Sequence, residues 1–354
     1  MRVLVVDASD RGGIAHYTEA LVDGLRAEGV DVTFLAPRTG LPRLPWGEET
    51  AGWNVARRRA VAAAAWVRRA AVVASEVRRS RPDVVHVQTP IAGVLDPLLL
   101  RWCRRRATLV RTVHNAEPHE RTRASARDRR QWSLAHHLVV HGREAATIVG
   151  VAGAAVHVIP PDPPAADGPD PATARRALGI DTGARVAVLL GLLRPYKGVG
   201  LLADAWPLVR AELPEARLAV AGSVLERFPD LERLLAADGV DGHVRWLDDD
   251  EVLAWAAAAD VCLLPYAHGA HSAVLHRAVA AGTPVLSSPA LAEETDRLGA
   301  GRVVPLEPGA WAAAIVDALR GALARPSAPP TREQAAATAA LYAEITAGAA
   351  APRR

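Results

Sequence analysis

The chain is 354 residues long, carries a net charge of +3, and is half hydrophobic. That is too long for one average domain, comfortable for two, and too apolar for a disordered chain. Cys103 and Cys262 stand far apart and imply no disulfide framework; no apolar run approaches the roughly 18–20 residues of a membrane span, and the run before Asp7 does not read as a secretory signal.

In chain order, Val3–Val6 reads as a buried strand, Ile14–Ala27 as a helix and Val32–Leu35 as a second strand. Val84–Val87, Leu109–Val113 and Leu138–Val140 continue the strand series. Short β-branched runs separated by helices predict a parallel sheet with helices on both faces. Between Pro160 and Pro171 six prolines crowd together with Asp and Gly, which is linker chemistry. The rhythm then restarts with strands at Val186–Leu190, Leu218–Ala221, Val244–Leu247, Val261–Leu264 and Pro284–Ser287, and a helix over Leu201–Ala211. After Pro330 an Ala-rich helix carries Leu341 and Tyr342. The expected organisation is α/β: a doubly wound Rossmann-like domain over residues 1–161, a second over 162–330, and a terminal helix over 331–354 packing back on the first domain.

Each half opens with an apolar strand, a Gly-containing turn and a helix. In the first the turn is Arg11-Gly12-Gly13; in the second it runs from Gly191 to Gly198. Ligands of open α/β sheets bind at such carboxyl ends of strands, where helix N-termini present backbone N–H groups. The second turn holds Arg194 and Lys197 beside the helix start. Two cations there suit a pyrophosphate better than they suit a solvated turn. Gly12-Gly13 taken alone is an ordinary tight turn, and it does not make the G-x-G-x-x-G of a dinucleotide-dependent oxidoreductase.

The stretch Gly191-Leu-Leu-Arg194-Pro-Tyr-Lys197-Gly198-Val resembles the second-domain opening of family-four GT-B glycosyltransferases. Asp260 to Tyr266, His271-Ser272-Ala273-Val274-Leu275 and Ala281-Gly282-Thr283-Pro284-Val285 resemble that family's donor site. Arg11 to Tyr17 resembles its first glycine loop, and Thr112 to Glu120 a segment of one bacterial subgroup. The resemblance spans most of the chain in the expected order. It implies two Rossmann-like domains facing a central cleft, and transfer of a sugar from a nucleoside diphosphate sugar to an acceptor hydroxyl, with retention and without a metal. It assigns Arg194 and Lys197 to the diphosphate, His114 to the donor sugar, Gly12 and Gly13 to sugar and phosphate, and Gly222 to the floor beneath the nucleobase. Gly191 joins the donor-binding set, and Glu294 stands where the family often has an acid near the ribose. His16, one turn into the first helix, is a candidate base on the acceptor side, with His119 and Glu120 shaping that side.

The family commonly carries two glutamates, whose places are held here by Gly269 and Arg277. An arginine cannot accept hydrogen bonds from ribose hydroxyls. His271-Ser272-Ala273-Val274 resembles instead a Gln-Ser-Gly-Val variant, in which the amides of Ser272, Ala273 and Val274 hold the distal phosphate and Ser272 caps the helix. Two other readings stand beside the transferase: a GT-B homologue without catalysis that partners an active transferase, and a sugar-nucleotide epimerase on the same scaffold.

Asp248-Asp249-Asp250-Glu251 invites a metal, but acids just ahead of a helix cap it and oppose its dipole, and no cofactor beyond the sugar donor is expected. Arginines crowd at Arg57–Arg59, Arg68, Arg69, Arg78, Arg79 and Arg81, and again from Arg101 to Arg130. Beside the first group Ala63, Trp66, Ala70, Val73 and Val77 form a helical apolar stripe, read as a helix packed on the sheet with a solvated basic face. The sharper reading is peripheral contact with an anionic membrane carrying a lipid-linked acceptor. Nucleic acid is not an expected partner, since no stacking platform accompanies the charge. The expected location is cytoplasmic, at most peripheral at the inner face of the membrane, in carbohydrate biosynthesis.

Overall fold

A computed structural model of the chain describes residues 1–10, 12–44, 54–114, 126–150, 153–162, 168–224, 226–269, 271–327 and 333–350. The chain divides into two compact units, Met1–Pro161 with Arg332–Arg354, and Asp162–Thr331.

The first unit contains β1 (Arg2–Val6), α1 (Gly13–Ala27), β2 (Asp31–Leu35), α2 (Val55–Ser80), β3 (Val84–Val87) and α3 (Asp96–Arg104). It continues through β4 (Thr108–Thr112), α4 (Ala126–Trp132), β5 (His137–Val140), α5 (Arg143–Val149) and β6 (Ala155–Val158). The six strands lie parallel in the order β2-β1-β3-β4-β5-β6. Because β1 is central, its residues pack on both faces. Val3 and Val5 meet Leu21, Val22 and Leu25 of α1, whereas Leu4 and Val6 meet Val73 and Val77 of α2 and Leu99 and Leu100 of α3.

The last helix, α13 (Glu333–Ala350), belongs to this unit. It inserts Leu341 and Tyr342 into the α1 side of the core, at 5% and 0% exposure. Burying two such side chains contributes roughly 3–6 kcal/mol. A Cβ at Gly24 would stand 2.5 Å from that of Ala335, so α1 and α13 cross where one of them lacks a side chain.

The second unit contains α6 (Pro171–Leu178), β7 (Val186–Leu190), α7 (Val199–Glu212), β8 (Arg217–Ala221), α8 (Pro229–Leu235), β9 (Val240–His243) and α9 (Asp249–Ala258). It ends with β10 (Val261–Leu264), α10 (Ala273–Ala280), β11 (Val285–Ser287), α11 (Ala292–Arg297), β12 (Gly301–Val303) and α12 (Pro308–Leu319). Its parallel order, β12-β11-β10-β7-β8-β9, is that of a Rossmann sheet. One face packs on Trp206 of α7 and Trp311 of α12, the other on Trp255 of α9 and Leu275 of α10.

Three strand readings change. The strand expected at Val244–Leu247 lies earlier, at β9, and β6 and β12 carry no strong apolar run. All three are edge strands, partly exposed along their length. An edge strand needs no continuous hydrophobic run, so periodicity does not mark it. In α2 the buried stripe is Ala65, Arg69, Val73 and Val77, with Trp66 half-buried and Ala63 exposed. Arg69 leaves the basic face altogether. It is 3% exposed, and its guanidinium donates to the carbonyls of Pro42, Ile91 and Ala8.

In each sheet the chain reverses its winding direction once, between β1 and β3 in the first unit and between β7 and β10 in the second. The crevices outside the carboxyl ends of these strand pairs are the places where open α/β sheets take ligands.

Candidate functional site

The loop after β7 is held by backbone pairing before any side chain matters. Gly191 N donates to Ala221 O at 3.0 Å and Leu193 N to Ser223 O at 2.7 Å. Pro195–Lys197 then makes one 3-10 turn, and Gly198, at φ 75, turns the chain into α7. A Cβ at Gly198 would lie 2.0 Å from the carbonyl oxygen of Pro265. Glycine is needed here both for the left-handed backbone and for pressing the loop after β7 onto the loop after β10. Ala267 N donates across the same junction to Tyr196 O, and the Tyr196 ring stacks on His268.

Lys197 is 7% exposed, with its Nζ 5.0 Å from the centroid of Tyr266. Among the described residues no carboxylate stands within ion-pair distance of it. Burial pushes its pKa down, and the charge of Arg194 acts in the same direction. A buried ammonium that faces an aromatic ring, with no carboxylate beside it among the described residues, is a favourable place for an anion.

The loop after β10 leads to α10. Ser272, 4% exposed, is its N-cap, with Oγ accepting Leu275 N at 3.3 Å and 3.1 Å from Tyr266 Oη. Of the three amides expected to hold a phosphate, that of Ser272 is taken, since it donates to Glu294 Oε2 at 2.9 Å. The Ala273 and Val274 amides remain at the open end of α10. A Cβ at Gly191 would stand 3.0 Å from Val274 Cγ2 and 3.4 Å from Lys197 Nζ. The missing side chain at Gly191 therefore lets the lysine and the helix start flank one point. The helix dipole adds positive potential there.

Glu294, on α11, is 6% exposed, and its Oε1 accepts from His271 Nδ1 at 2.6 Å and His276 Nε2 at 2.7 Å. Burial alone would raise its pKa, but the two imidazoles more than offset that and hold it well below the usual carboxylate range. Burial pushes His276 down against the pull of Glu294. For His276 burial is the larger effect, so the direction that stands is towards the neutral imidazole donating to the carboxylate. His271, His276 and Glu294 are also the one group among the described residues whose ligand atoms lie close enough to suggest a metal, within 4.8 Å of one another. Yet 2.6 and 2.7 Å are hydrogen-bond lengths, and tetrahedral zinc would hold its ligand atoms about 3.3 Å apart. The trio is a hydrogen-bonded clamp on the start of α10.

Arg277 donates to Asp249 Oδ1 at 3.1 Å. Asp248 caps α9 and forms a capping box with Glu251, so the acidic run serves helix ends. Gly222, at φ 144, is pressed onto the loop after β7, where a Cβ would stand 1.9 Å from Gly191 O. A glycine here serves the closeness of the two loops.

In the first unit Gly12 caps α1 at φ 85, and a Cβ there would meet nothing within 4 Å; Gly13 begins the helix. The loop is pinned by Asp7, whose carboxylate accepts from Thr18 Oγ1 at 2.7 Å, Thr89 Oγ1 at 2.8 Å and Ser9 N at 2.9 Å. His16 is 3.9 Å from Glu19, one turn on. His114 Nε2 lies 3.2 Å from Gln88 Oε1 and its Nδ1 3.2 Å from His141 Nε2, with the Tyr17 ring edge-on at 4.8 Å. The carboxyl ends of β3, β4 and β5 thus gather Gln88, His114 and His141 against α1. His119, Glu120 and Arg11 lie outside the described residues. Gln88, His141 and His276 carry no motif, although Gln88 and His141 each directly follow a buried strand, which was the available signal; Tyr17 and His271 stand inside the quoted motifs but were given no role of their own.

Known proteins match both halves. The family described as Glycosyltransferase Family 4 matches residues 11–161, and that described as Glycosyl transferases group 1 matches residues 184–321. The D-inositol 3-phosphate glycosyltransferase of Corynebacterium urealyticum is 35% identical over 124 residues, 32% of this chain and 29% of that protein. The protein of the same name from Thermobispora bispora is 32% identical over 194 residues, 49% of this chain and 45% of that protein. The chain thus spans less than half the length of these curated relatives. Sucrose-phosphate synthase from Thermosynechococcus elongatus superposes with a TM-score of 0.70 at 19% identity, covering 98% of this chain and 99% of that one. An alpha,alpha-trehalose-phosphate synthase (UDP-forming) from Burkholderia vietnamiensis gives 0.65 at 13% identity, covering 99% of both. With both halves matched to glycosyltransferase families and two Rossmann-like sheets in sequence, the chain belongs to the family-four-like glycosyltransferases of GT-B architecture.

Proposed function

We propose that the protein transfers a glycosyl group from a nucleoside diphosphate sugar to an acceptor hydroxyl, with the donor diphosphate bound at the carboxyl ends of β7 and β10. The buried Lys197, with no carboxylate partner among the described residues, carries this reading. With Arg194 and the Ala273 and Val274 amides it supplies positive potential where charge develops on the departing diphosphate, which is electrostatic stabilisation aimed at the transition state. No metal is required for that task, and the family resemblance favours retention of configuration. His114, held by Gln88 and His141, is the candidate donor-sugar contact, and His16 the candidate on the acceptor side. The curated relatives are named for inositol phosphate, which places it among the acceptors to try, beside lipid-linked, glycan and natural-product hydroxyls. The exposed arginines of α2 and α3 are the surface that a membrane-borne acceptor would meet.

A donor-binding homologue without turnover is the second reading. Arg277 favours it, since it stands where the family's ribose-gripping glutamate does and is committed to Asp249. The deciding experiment is thermal stability against UDP-, GDP-, ADP- and dTDP-sugars, followed by turnover of whichever donor stabilises. Ligand at 100 times Kd raises stability by about 2.7 kcal/mol through mass action. One donor class should stabilise the wild type and not Arg194→Ala/Lys197→Ala. Stabilisation of both alike would sink the assigned site, and binding without turnover would establish the second reading.

A further inference from the structure

We propose that the first unit holds a second anion site, between α3 and α4, that takes a small phosphorylated molecule, with its phosphate on Arg111 and Arg130 and a sugar-sized body in the rest of the cavity there.

β4 lies inside the sheet, between β3 and β5, where a parallel strand is normally an unbroken apolar run. Arg111 breaks that run, in register with Val87 and Leu138. By alternation it shares a face with Leu109, which packs with Leu99, Leu100 and Cys103 of α3. The residue is 8% exposed, and a guanidinium stays charged even when buried. Among the described residues this guanidinium makes one hydrogen bond, from Nη1 to the amide oxygen Oε1 of Gln131 at 3.3 Å. Asp96 and Asp128 act on it by charge, but no described carboxylate comes within ion-pair distance of it. Its other nitrogens make no hydrogen bond and are not sealed from solvent, so they meet open space.

Gln131 joins this buried cation to a cavity. With Pro97, Ala126 and Arg130 it lines a space of about 490 Å³. Arg111 takes the amide oxygen, which orients Gln131 and leaves its NH2 as a donor. Arg130 is exposed, and its guanidinium has no hydrogen bond or ion pair among the described residues. The polar side chains of the wall are therefore donors, and two cations stand among them. Two guanidiniums and an amide offer more N–H groups than the two oxygens of a carboxylate can use. A phosphate monoester carries three acceptor oxygens and close to two negative charges, which fits them better. It would also give Arg111 the counter-charge that offsets its desolvation. A cavity of this size is in the range of small-molecule sites, and bare phosphate would fill little of it. Pro97 and Ala126 supply an apolar wall for the body of the ester.

The test is isothermal titration of inorganic phosphate, glycerol 3-phosphate, glucose 1-phosphate and glucose 6-phosphate into the full chain, with glucose as the uncharged control. At least one ester should bind more tightly than inorganic phosphate, and glucose should not bind. Arg130→Ala removes an exposed side chain with no partner to lose, so folding is not at risk, and it should weaken the ester about tenfold to hundredfold. Arg111→Met should lose it. Lys197→Met, which alters the diphosphate site, should bind the ester as the wild type does. Binding lost in Lys197→Met and kept in Arg130→Ala would put the ester at the diphosphate site and overturn the proposal. Binding of no ester, or of inorganic phosphate as tightly as the best ester, would overturn it too. None of these outcomes needs a nucleotide sugar, so the diphosphate reading stands or falls separately. Incubating the bound ester with the donor that stabilises the protein tells its source: glycosylation makes it an acceptor, recovery unchanged makes it an effector, and either result leaves the site supported.

Discussion

Replacing Lys197 by Met should stabilise the ligand-free protein and abolish nucleotide binding. Met has nearly the same length and shape but no charge. An unsatisfied buried polar group costs about 1–3 kcal/mol, and more when charged. The Tyr266 face at 5.0 Å returns about 0.5–2 kcal/mol. The net gain expected for Lys197→Met is therefore about 1 kcal/mol. For a unit the size of Asp162–Thr331 this raises its melting midpoint by about 2–4 °C. The sign with pH is fixed as well. Burial lowers the folded pKa below the ordinary lysine value of 10.5, so the unfolded chain binds more protons between the two. Wild-type stability should then rise with pH through that alkaline window, and the variant should lack the rise. Calorimetry of both proteins with and without the stabilising donor is the assay. A variant that melts below the wild type without ligand would show that the ammonium is satisfied in the apoprotein, and the reasoning would be wrong. A variant that still binds donor would remove Lys197 from the site.

Two further outcomes follow from packing and burial. Gly198→Ala should cost several times more stability than Gly12→Ala. Both glycines have positive φ, a strain of about 1–3 kcal/mol for alanine. Only at Gly198 would the added Cβ collide with a backbone oxygen, whereas Gly12 has open space; paired denaturant titrations check this, and similar costs would refute it. His86 is wholly buried, and desolvation pushes its pKa down to about 3 against an ordinary 6.5. The unfolded state then binds the extra proton, so this contribution to stability is complete above pH 6.5. It falls by up to about 1.4 kcal/mol per unit as pH drops towards 3. Urea unfolding of wild type and His86→Asn at pH 7 and 5 should show the smaller loss in the variant, and parallel losses would contradict the assignment.

The sequence by itself determined the two α/β units, their order, and the strands at the centre of each sheet. A central parallel strand is buried on both faces and must be a continuous apolar run, as Val186–Leu190 and Val3–Val6 are. It also placed Lys197 and Arg194 at a strand's carboxyl end, because a helix start follows that strand within one short loop. Tertiary structure alone decided what surrounds those cations. That Lys197 has no carboxylate near it among the described residues, that Ser272 gives its amide to Glu294, and that Arg277 is drawn to Asp249 all depend on elements far apart in sequence. The edge strands β6, β9 and β12 were illegible for the complementary reason: half-exposed backbone pairing leaves no hydrophobic pattern. His271, His276 and Glu294 form a clamp because α10 and α11 both pack against β11, and the spacing of 18 residues between His276 and Glu294 has no periodicity that could announce it.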